Sequence, residues 1–99
     1  MMNIVRNRKN GTLTLALEGR MDITTAPDLE QVVKGNLDDV TDLVMDLAKL
    51  TYISSAGLRV LLLAQKKMDK QGSMKVIHVN EAVMEVFETM GFAGILKIE

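Results

Sequence analysis

The stretch LVMDLAKLTYISSAGL, residues 43–58, carries the strongest fold signal in this chain. Its first five residues form a nearly continuous apolar run, which is typical of a strand that lies centrally in a sheet or is covered on both faces. After a short connection, Ser54 and Ser55 precede the segment 56–71, whose wide apolar stripe predicts a long helix. The sequence therefore predicts a buried strand that leads into a helix with two serines at its N-terminus.

Two strands are predicted N-terminal to this stretch. Residues 4–9 are expected to form an edge strand, and residues 12–18 alternate between apolar and polar side chains, as a half-buried strand does. Asn10 and Gly11 between them favour a type I′ hairpin turn, because both central residues of that turn need a positive φ. The predicted hairpin is therefore antiparallel, with one face toward solvent.

The rest of the chain predicts alternating helices and strands. A helix is expected to begin near Thr25, whose side chain can cap it, and another after Asn80. Strands are expected at residues 74–79 and 95–98, which gives the element order ββαβαβαβ. Strand–helix–strand alternation predicts right-handed crossovers, which join parallel strands. We therefore expect one α/β domain over residues 1–99. Its central sheet is mixed but mostly parallel, with an N-terminal antiparallel hairpin and flanking helices.

The composition excludes several classes of function. With 47% hydrophobic and 25% charged residues, the chain is expected to be globular. A net charge of −1 and 3% aromatic residues argue against nucleic-acid binding. There is no cysteine, and the single histidine, His78, is expected on a sheet face, so neither a metal site nor a cofactor is predicted. The chain has no long apolar run and no apolar signal core at its N-terminus, so a cytoplasmic location without membrane insertion is expected.

The two serines allow two interpretations. A serine that precedes an apolar helix is commonly a simple N-cap, whose hydroxyl accepts a hydrogen bond from a backbone amide. Helix N-termini also hold anions, because unpaired N–H groups and the positive end of the helix dipole lie there. Sites in open α/β sheets form at the carboxyl ends of strands, where Ser54 and Ser55 fall. Gly57 is expected where a second backbone or a ligand comes close, and Asp46 is expected to hydrogen-bond loop amides.

An enzymatic role for the serines is disfavoured. A serine hydrolase would need Ser54 or Ser55 as its nucleophile, but the chain has no Gly-x-Ser-x-Gly motif. The base would have to be His78, which lies in a different predicted strand with no motif around it. A glycine-rich phosphate loop is absent as well, so no catalytic residue is predicted.

Residues 52–58, Tyr-Ile-Ser-Ser-Ala-Gly-Leu, resemble the hallmark loop of the STAS family, the sulfate transporter and anti-sigma factor antagonist domain. That loop commonly reads aromatic, aliphatic, Asp-Ser-Ser-Gly-Leu. Residues 19–22, Gly-Arg-Met-Asp, resemble the Gly-x-x-Asp that ends the second strand of the family, and residues 43–47 resemble its central strand. Other positions fit the family in order along the chain: Thr25, Ala26, Gly72, Val79, Asn80, Gly91 and Phe92.

The resemblance implies a phosphorylation switch. In anti-sigma factor antagonists the first serine of the pair, Ser55 here, is phosphorylated by a partner anti-sigma factor that is a serine kinase. The unmodified protein binds this anti-sigma factor and frees the sigma factor, whereas the phosphorylated form lets go and a serine phosphatase resets it. The chain departs from the pattern in having Ser54 in place of the aspartate and Ala56 in place of the second serine, so Ser54 is the second candidate acceptor.

The resemblance also implies a partner-binding surface around the serine, comprising Met21, Asp22, Tyr52, Ser54, Gly57 and Leu58. For Asp22 the alternative is a turn residue that caps the following helix. For Met21, Tyr52 and Leu58 the alternative is a partly buried position at the rim. A different function within the family is a docking subunit of a lipid-transport or signalling complex, whose serine is not phosphorylated.

Overall fold

The computed structural model describes residues 2–99 and shows four strands and three helices in the order β–β–α–β–α–β–α. The sheet order is β1-β2-β3-β4, with β1 antiparallel to β2 and the remaining neighbours parallel, which confirms the predicted mixed sheet and N-terminal hairpin. The bounds of these elements are β1 (Met2–Lys9), β2 (Thr12–Met21), α1 (Ala26–Gly35), β3 (Asp42–Ile53), α2 (Ser55–Gln71), β4 (Ser73–Ile77) and α3 (Glu81–Thr89).

The hairpin turn differs from the predicted type I′ geometry. Asn10 has a φ of 56°, but Gly11 does not have a positive φ, and type I′ requires both. Gly11 is instead needed for space, since a Cβ there would lie 2.6 Å from the hydroxyl oxygen of Thr41. The amide of Thr41 donates to the carbonyl oxygen of Gly11 at 2.8 Å, so the turn is packed against the chain that enters β3.

Strand β3 is much longer than the predicted strand at residues 43–47. It continues to Ile53 because β2 keeps pairing with it through two register shifts, one between Ala16 and Glu18 and one between Gly19 and Arg20. The connection expected between strand and helix is therefore itself strand. As a result, β3 runs directly to the residue before Ser54.

The hydrophobic core lies on one face of the sheet. Paired residues of β2, β3 and β4 alternate so that these buried side chains share that face: Leu13, Leu15, Leu43, Met45, Met74 and Val76. Buried side chains of all three helices join the same cluster, among them Leu29, Leu61 and Phe87. The opposite face keeps Thr14 and Lys75 partly exposed, so the helices cover one face and β3 owes its apolar character to its central position.

Helices α1 and α2 run parallel to each other. Arg59, near the start of α2, contacts Glu30 of α1 at 3.0 Å, whereas Gln71, at the end of α2, donates to the carbonyl oxygen of Leu37 beyond α1 at 2.6 Å. Because both partners advance together along the sequence, the two N-termini lie at the same end of the molecule. Strands β2 and β3 also end there.

The predicted side-chain cap of α1 is not formed, whereas α2 ends in a glycine cap. Thr25 occupies the N-cap position of α1, but its side chain makes no capping hydrogen bond, and its hydroxyl donates to the carbonyl oxygen of Arg20 at 2.8 Å. This contact ties the helix to the end of β2. Gly72 is the C-cap of α2, with its amide donating to the carbonyl oxygen of Met68 at 2.7 Å.

The predicted strands near the C-terminus are shorter than expected. Strand β4 ends at Ile77 instead of residue 79, because the next residue, His78, adopts a φ of 58° that breaks the extended backbone. The strand predicted at residues 95–98 is reduced to one parallel bridge between Ile98 and Val76. This bridge still adds the chain end to the β4 side of the sheet.

Candidate functional site

The two serines have different roles at the start of α2. Ser54 is the N-cap, with an extended backbone and a hydroxyl that accepts from the amide of Gly57 at 3.5 Å. Ser55 is the first helical residue and is exposed. The simple capping interpretation therefore holds for Ser54. It leaves the Ser55 hydroxyl uncommitted to the cap and open to solvent.

A backbone contact joins the serines to the end of β2. The amide of Ser54 donates to the carbonyl oxygen of Met21 at 2.9 Å, and the carbonyl oxygen of Ser54 accepts from the amide of Leu58 at 3.0 Å. The chain that follows Met21, beginning with Asp22, is thus fixed beside the start of α2. The structure brings together the two segments that carry the sequence motifs, residues 19–22 and 52–58.

The carboxylate of Asp22 is engaged by the loop that follows it. One of its oxygens accepts from the Thr24 hydroxyl at 2.6 Å, from the Thr24 amide at 2.9 Å and from the Thr25 amide at 3.2 Å. Hydrogen bonds from the Thr24 side chain and backbone, followed by those from Thr25, lower the pKa of the Asp22 carboxyl. This geometry matches the alternative interpretation of Asp22 as a turn residue ahead of α1, at a position adjoining the serines.

Three of the predicted partner-binding residues are buried. Met21 is 0% exposed and Leu58 is 1% exposed, because the apolar face of α2 packs against the ends of β2 and β3. Gly57 is buried too, and a Cβ there would lie 2.8 Å from both Ile53 Cγ1 and Met21 Cγ. Its missing side chain makes room for core side chains and not for a ligand. These three residues position the serines but offer no surface to a partner.

The exposed rim of the site consists of three other side chains. Tyr52 is 39% exposed and lies beneath the guanidinium of Arg20, whose carbon is 4.3 Å from the ring centroid. Ile23, in the loop after Asp22, is 77% exposed. Arg20 and Ile23 were not predicted from the sequence, although an apolar residue in a turn, outside any helical or strand period, is a usable signal of a contact surface.

Charged side chains link the first turns of α2 to α1. Glu30 accepts from Arg59 at 3.0 Å and pairs with Lys34 at 2.8 Å. Hydrogen bonds from Lys34 and then from Arg59 lower the pKa of the Glu30 carboxyl. Arg59 lies one turn after Ser55 in α2, and its guanidinium is held by Glu30.

A second polar contact, between Asp46 and His78, lies apart from the serines. Asp46 accepts from the amide of Ala48 at 3.0 Å, and its carboxylate also lies 2.9 Å from His78 Nδ1. Burial raises the pKa of the Asp46 carboxyl, but the hydrogen bonds from Ala48 and His78 outweigh burial and leave it lowered. Asp46 bonds a backbone amide, as predicted, although that amide belongs to the strand and not to a loop.

Within residues 2–99 there is no group of three or more side chains arranged to hold a metal ion. In the same part of the chain, no helix combines the length and the apolar character that crossing a membrane requires.

Comparison with known proteins identifies the family. The model of the family described as "Mlab, STAS domain" matches residues 4–97. BtrV of Bordetella bronchiseptica, which is named as a presumed anti-sigma factor antagonist, is 35% identical over 99 residues, covering 98% of this chain and 85% of its own. The anti-sigma-B factor antagonist of Bacillus subtilis is 26% identical over 98 residues, covering 98% of this chain and 90% of its own.

Solved structures agree with this assignment at the level of fold. An anti-sigma factor antagonist from Mycobacterium paratuberculosis superposes with a TM-score of 0.89 at 23% identity, covering 99% of this chain and 85% of that one. The Bacillus protein SpoIIAA in its phosphorylated form superposes with a TM-score of 0.77 at 14% identity, covering 98% and 91%. The predicted family and fold are confirmed, and the chain belongs to the STAS domain family, among relatives named as anti-sigma factor antagonists.

Proposed function

We propose that this protein is an anti-sigma factor antagonist whose binding to an anti-sigma factor is switched off by phosphorylation of Ser55. The observation that carries the proposal is the exposed Ser55 hydroxyl at the first position of α2, beside a separate capping serine. Because Ser54 fills the N-cap, a change at Ser55 leaves the helix start intact. The relatives named as anti-sigma factor antagonists supply the class of partner.

The unmodified protein would dock through the exposed rim of the site. Ile23 and Tyr52 offer apolar contact area, and Arg20 adds a planar cation stacked on the tyrosine ring. Aromatic and arginine side chains of this kind are common anchors of protein interfaces. The partner is an anti-sigma factor that is also the serine kinase, and the complex forms in the cytoplasm. A serine phosphatase would restore the unmodified state.

Phosphorylation would oppose docking without unfolding the domain. A phosphate on Ser55 adds about −1.5 to −2 charge, which a partner surface would have to desolvate on binding. The N-terminus of α2 stabilises that charge in the free protein, because its unpaired amides and dipole favour an anion. A regulatory coupling of about 1–3 kcal/mol, typical of such linkage, would weaken binding roughly 5- to 150-fold.

Ser55 is favoured over Ser54 as the acceptor. The Ser54 hydroxyl accepts a hydrogen bond from the Gly57 amide, and Ser54 is only partly exposed. A kinase would therefore have to break the cap to reach Ser54, whereas Ser55 is already accessible. The absence of an acidic residue at position 54 leaves a neutral side chain next to the acceptor.

The proposal is tested by mass spectrometry of the protein after incubation with ATP, magnesium and an anti-sigma factor kinase from the same genome. We expect one phosphate on Ser55, absent from S55A and retained in S54A. Partner affinity is then measured by calorimetry for the modified and unmodified protein. Weaker binding of the phosphorylated form supports the switch, phosphate on Ser54 corrects the residue, and equal affinities contradict the switch.

A docking module without phosphorylation is the second candidate function. The observation that favours it is Ser54, which stands where the family commonly has an aspartate before the acceptor. In that case the rim residues Ile23 and Tyr52 would bind a partner of a lipid-transport or signalling complex. Absence of phosphate under every candidate kinase, together with unchanged partner binding by S55A, would favour this function.

A further inference from the structure

We propose that Arg59 is the intramolecular partner of a phosphate on Ser55 and that it leaves Glu30 to bind that phosphate. This inference rests on the proposed function, because it assigns a structural role to a residue in the phosphorylated state. It concerns how the modified protein holds its phosphate, and it adds a residue that neither the sequence motifs nor the family resemblance singled out.

The helical spacing places Arg59 within reach of the phosphate. Ser55 and Arg59 are four residues apart in α2, so their Cβ atoms are neighbours at about 5–6 Å on one face of the helix. Long side chains on a helix point toward its N-terminus, which directs Arg59 back over the first turn. Its guanidinium fork suits phosphate oxygens, which it can bind through two parallel hydrogen bonds.

The present contact of Arg59 is one that can be exchanged. Its side chain is 64% exposed, and its bond to Glu30 is a surface ion pair, a class that contributes little to stability. Glu30 would not be left unpaired, because Lys34 binds its other carboxylate oxygen at 2.8 Å. A phosphate with about −1.5 to −2 charge attracts the guanidinium more strongly than a single carboxylate does.

The surroundings favour an anion at this point. The parallel arrangement of α1 and α2 puts Ser55 one turn before Arg59 and Ala26 one turn before Glu30, so both helix dipoles have their positive ends there. The opposing charge is the carboxylate of Asp22, which hydrogen bonds from the Thr24 amide and hydroxyl hold in the loop ahead of α1. Arg59 is therefore the exposed cation that can exchange Glu30 for a phosphate at this point.

The test uses protein with phosphoserine incorporated at position 55 during translation, so no kinase is involved. Phosphorus NMR titration reports the second pKa of the phosphate, which is ordinarily about 6. We expect R59Q to raise this pKa by roughly half a unit, since a cation that contacts the phosphate stabilises its dianion and solvent screens the pair. The matched control K66Q removes the same charge from an exposed position farther along α2 and should leave the phosphate pKa unchanged.

A third variant tests the exchange itself. E30Q removes the competing carboxylate and should lower the phosphate pKa below the wild-type value, and the Arg59 Nε resonance should shift on phosphorylation in wild type. Equal phosphate pKa values in R59Q and K66Q, or an Arg59 Nε resonance that does not shift on phosphorylation, would overturn the inference. If no candidate kinase modifies Ser55, the proposed switch is overturned instead. The two failures are distinguishable, because the NMR titration tests only the Arg59 contact and the kinase assay tests only the switch.

Discussion

Gly57 in the first turn of α2 faces Met21 at the end of β2, and a Cβ on the glycine would lie 2.8 Å from the methionine Cγ. The same Cβ would lie 2.8 Å from Ile53 Cγ1, so two core side chains occupy the space that any other residue needs. This close approach is what brings the helix start, and with it the serines, against the carboxyl ends of β2 and β3.

The first prediction concerns this contact. G57A should lower the free energy of unfolding by about 1–2 kcal/mol, because overpacking outweighs the helix-propensity gain of about 1 kcal/mol. Urea denaturation provides the measurement. G94A is the matched control, since a Cβ at Gly94 meets no atom within 4 Å, and it should stay within about 0.5 kcal/mol of wild type. A G57A protein as stable as G94A would refute the packing argument.

The cap of α2 gives a second prediction. S54A should cost about 0.5–1 kcal/mol, toward the low end for N-caps, since the hydrogen bond to the Gly57 amide is long at 3.5 Å. S54D should be at least as stable as wild type, because a carboxylate caps and also favours the positive end of the dipole. Thermal and urea unfolding compare the three proteins. An S54A protein with unchanged stability would show that the cap contributes nothing.

The exposed rim gives a third prediction, about partner binding. Replacing Tyr52 or Ile23 with serine should weaken binding of the anti-sigma factor at least tenfold, as truncation of a buried aromatic or aliphatic anchor does, at about 1.4 kcal/mol per tenfold. Calorimetry or surface plasmon resonance provides the affinity. The control is M90S, which removes an apolar side chain that is half exposed at the C-cap of α3. Equal losses in M90S and Y52S would mean that the rim is not the docking surface.

Acid should destabilise the domain through Asp22. Its folded-state pKa is depressed below the ordinary value of 3.8, so its contribution to stability is present above that value and is lost as the pH falls through the folded pKa. D22N, which does not ionise, should show a shallower loss of stability below about pH 4 than wild type. Unfolding free energies measured from neutral pH down to pH 3 compare the two. If the free energies of unfolding of D22N and wild type fall equally steeply below about pH 4, the role given to the Thr24 hydrogen bonds is contradicted.

Much of the fold could be predicted because it follows from local pattern. Alternating leucines identified β2, and the apolar stripe of residues 56–71 identified α2 to within one residue of its observed start. The length of β3 could not be predicted, because residues 48–53 show no clear alternation and are strand only through pairing with β2 across two register shifts. The shortened β4 depends likewise on one backbone angle, at His78.

The exposure of the candidate-site residues could not be predicted from the sequence. The motifs point to the carboxyl ends of β2 and β3, but Met21 and Leu58 are core residues there, and sequence spacing alone does not separate a core residue from a rim residue. Arg20 was missed because its stacking on Tyr52 depends on the β2–β3 register. Arg59 was missed because its significance arises from the parallel packing of α1 and α2.

The neutral side chain of Ser54 affects how strongly phosphorylation changes the charge of the surface that a partner meets. The two segments that meet at the serines, residues 19–22 and 52–58, carry one cation, Arg20, and one carboxylate, Asp22, so their formal charges cancel. An aspartate at position 54 would give this surface a standing negative charge before any kinase acted. With serine at position 54, the two segments carry no net formal charge before modification. A single phosphate then supplies the entire charge difference between the two states, about −1.5 to −2.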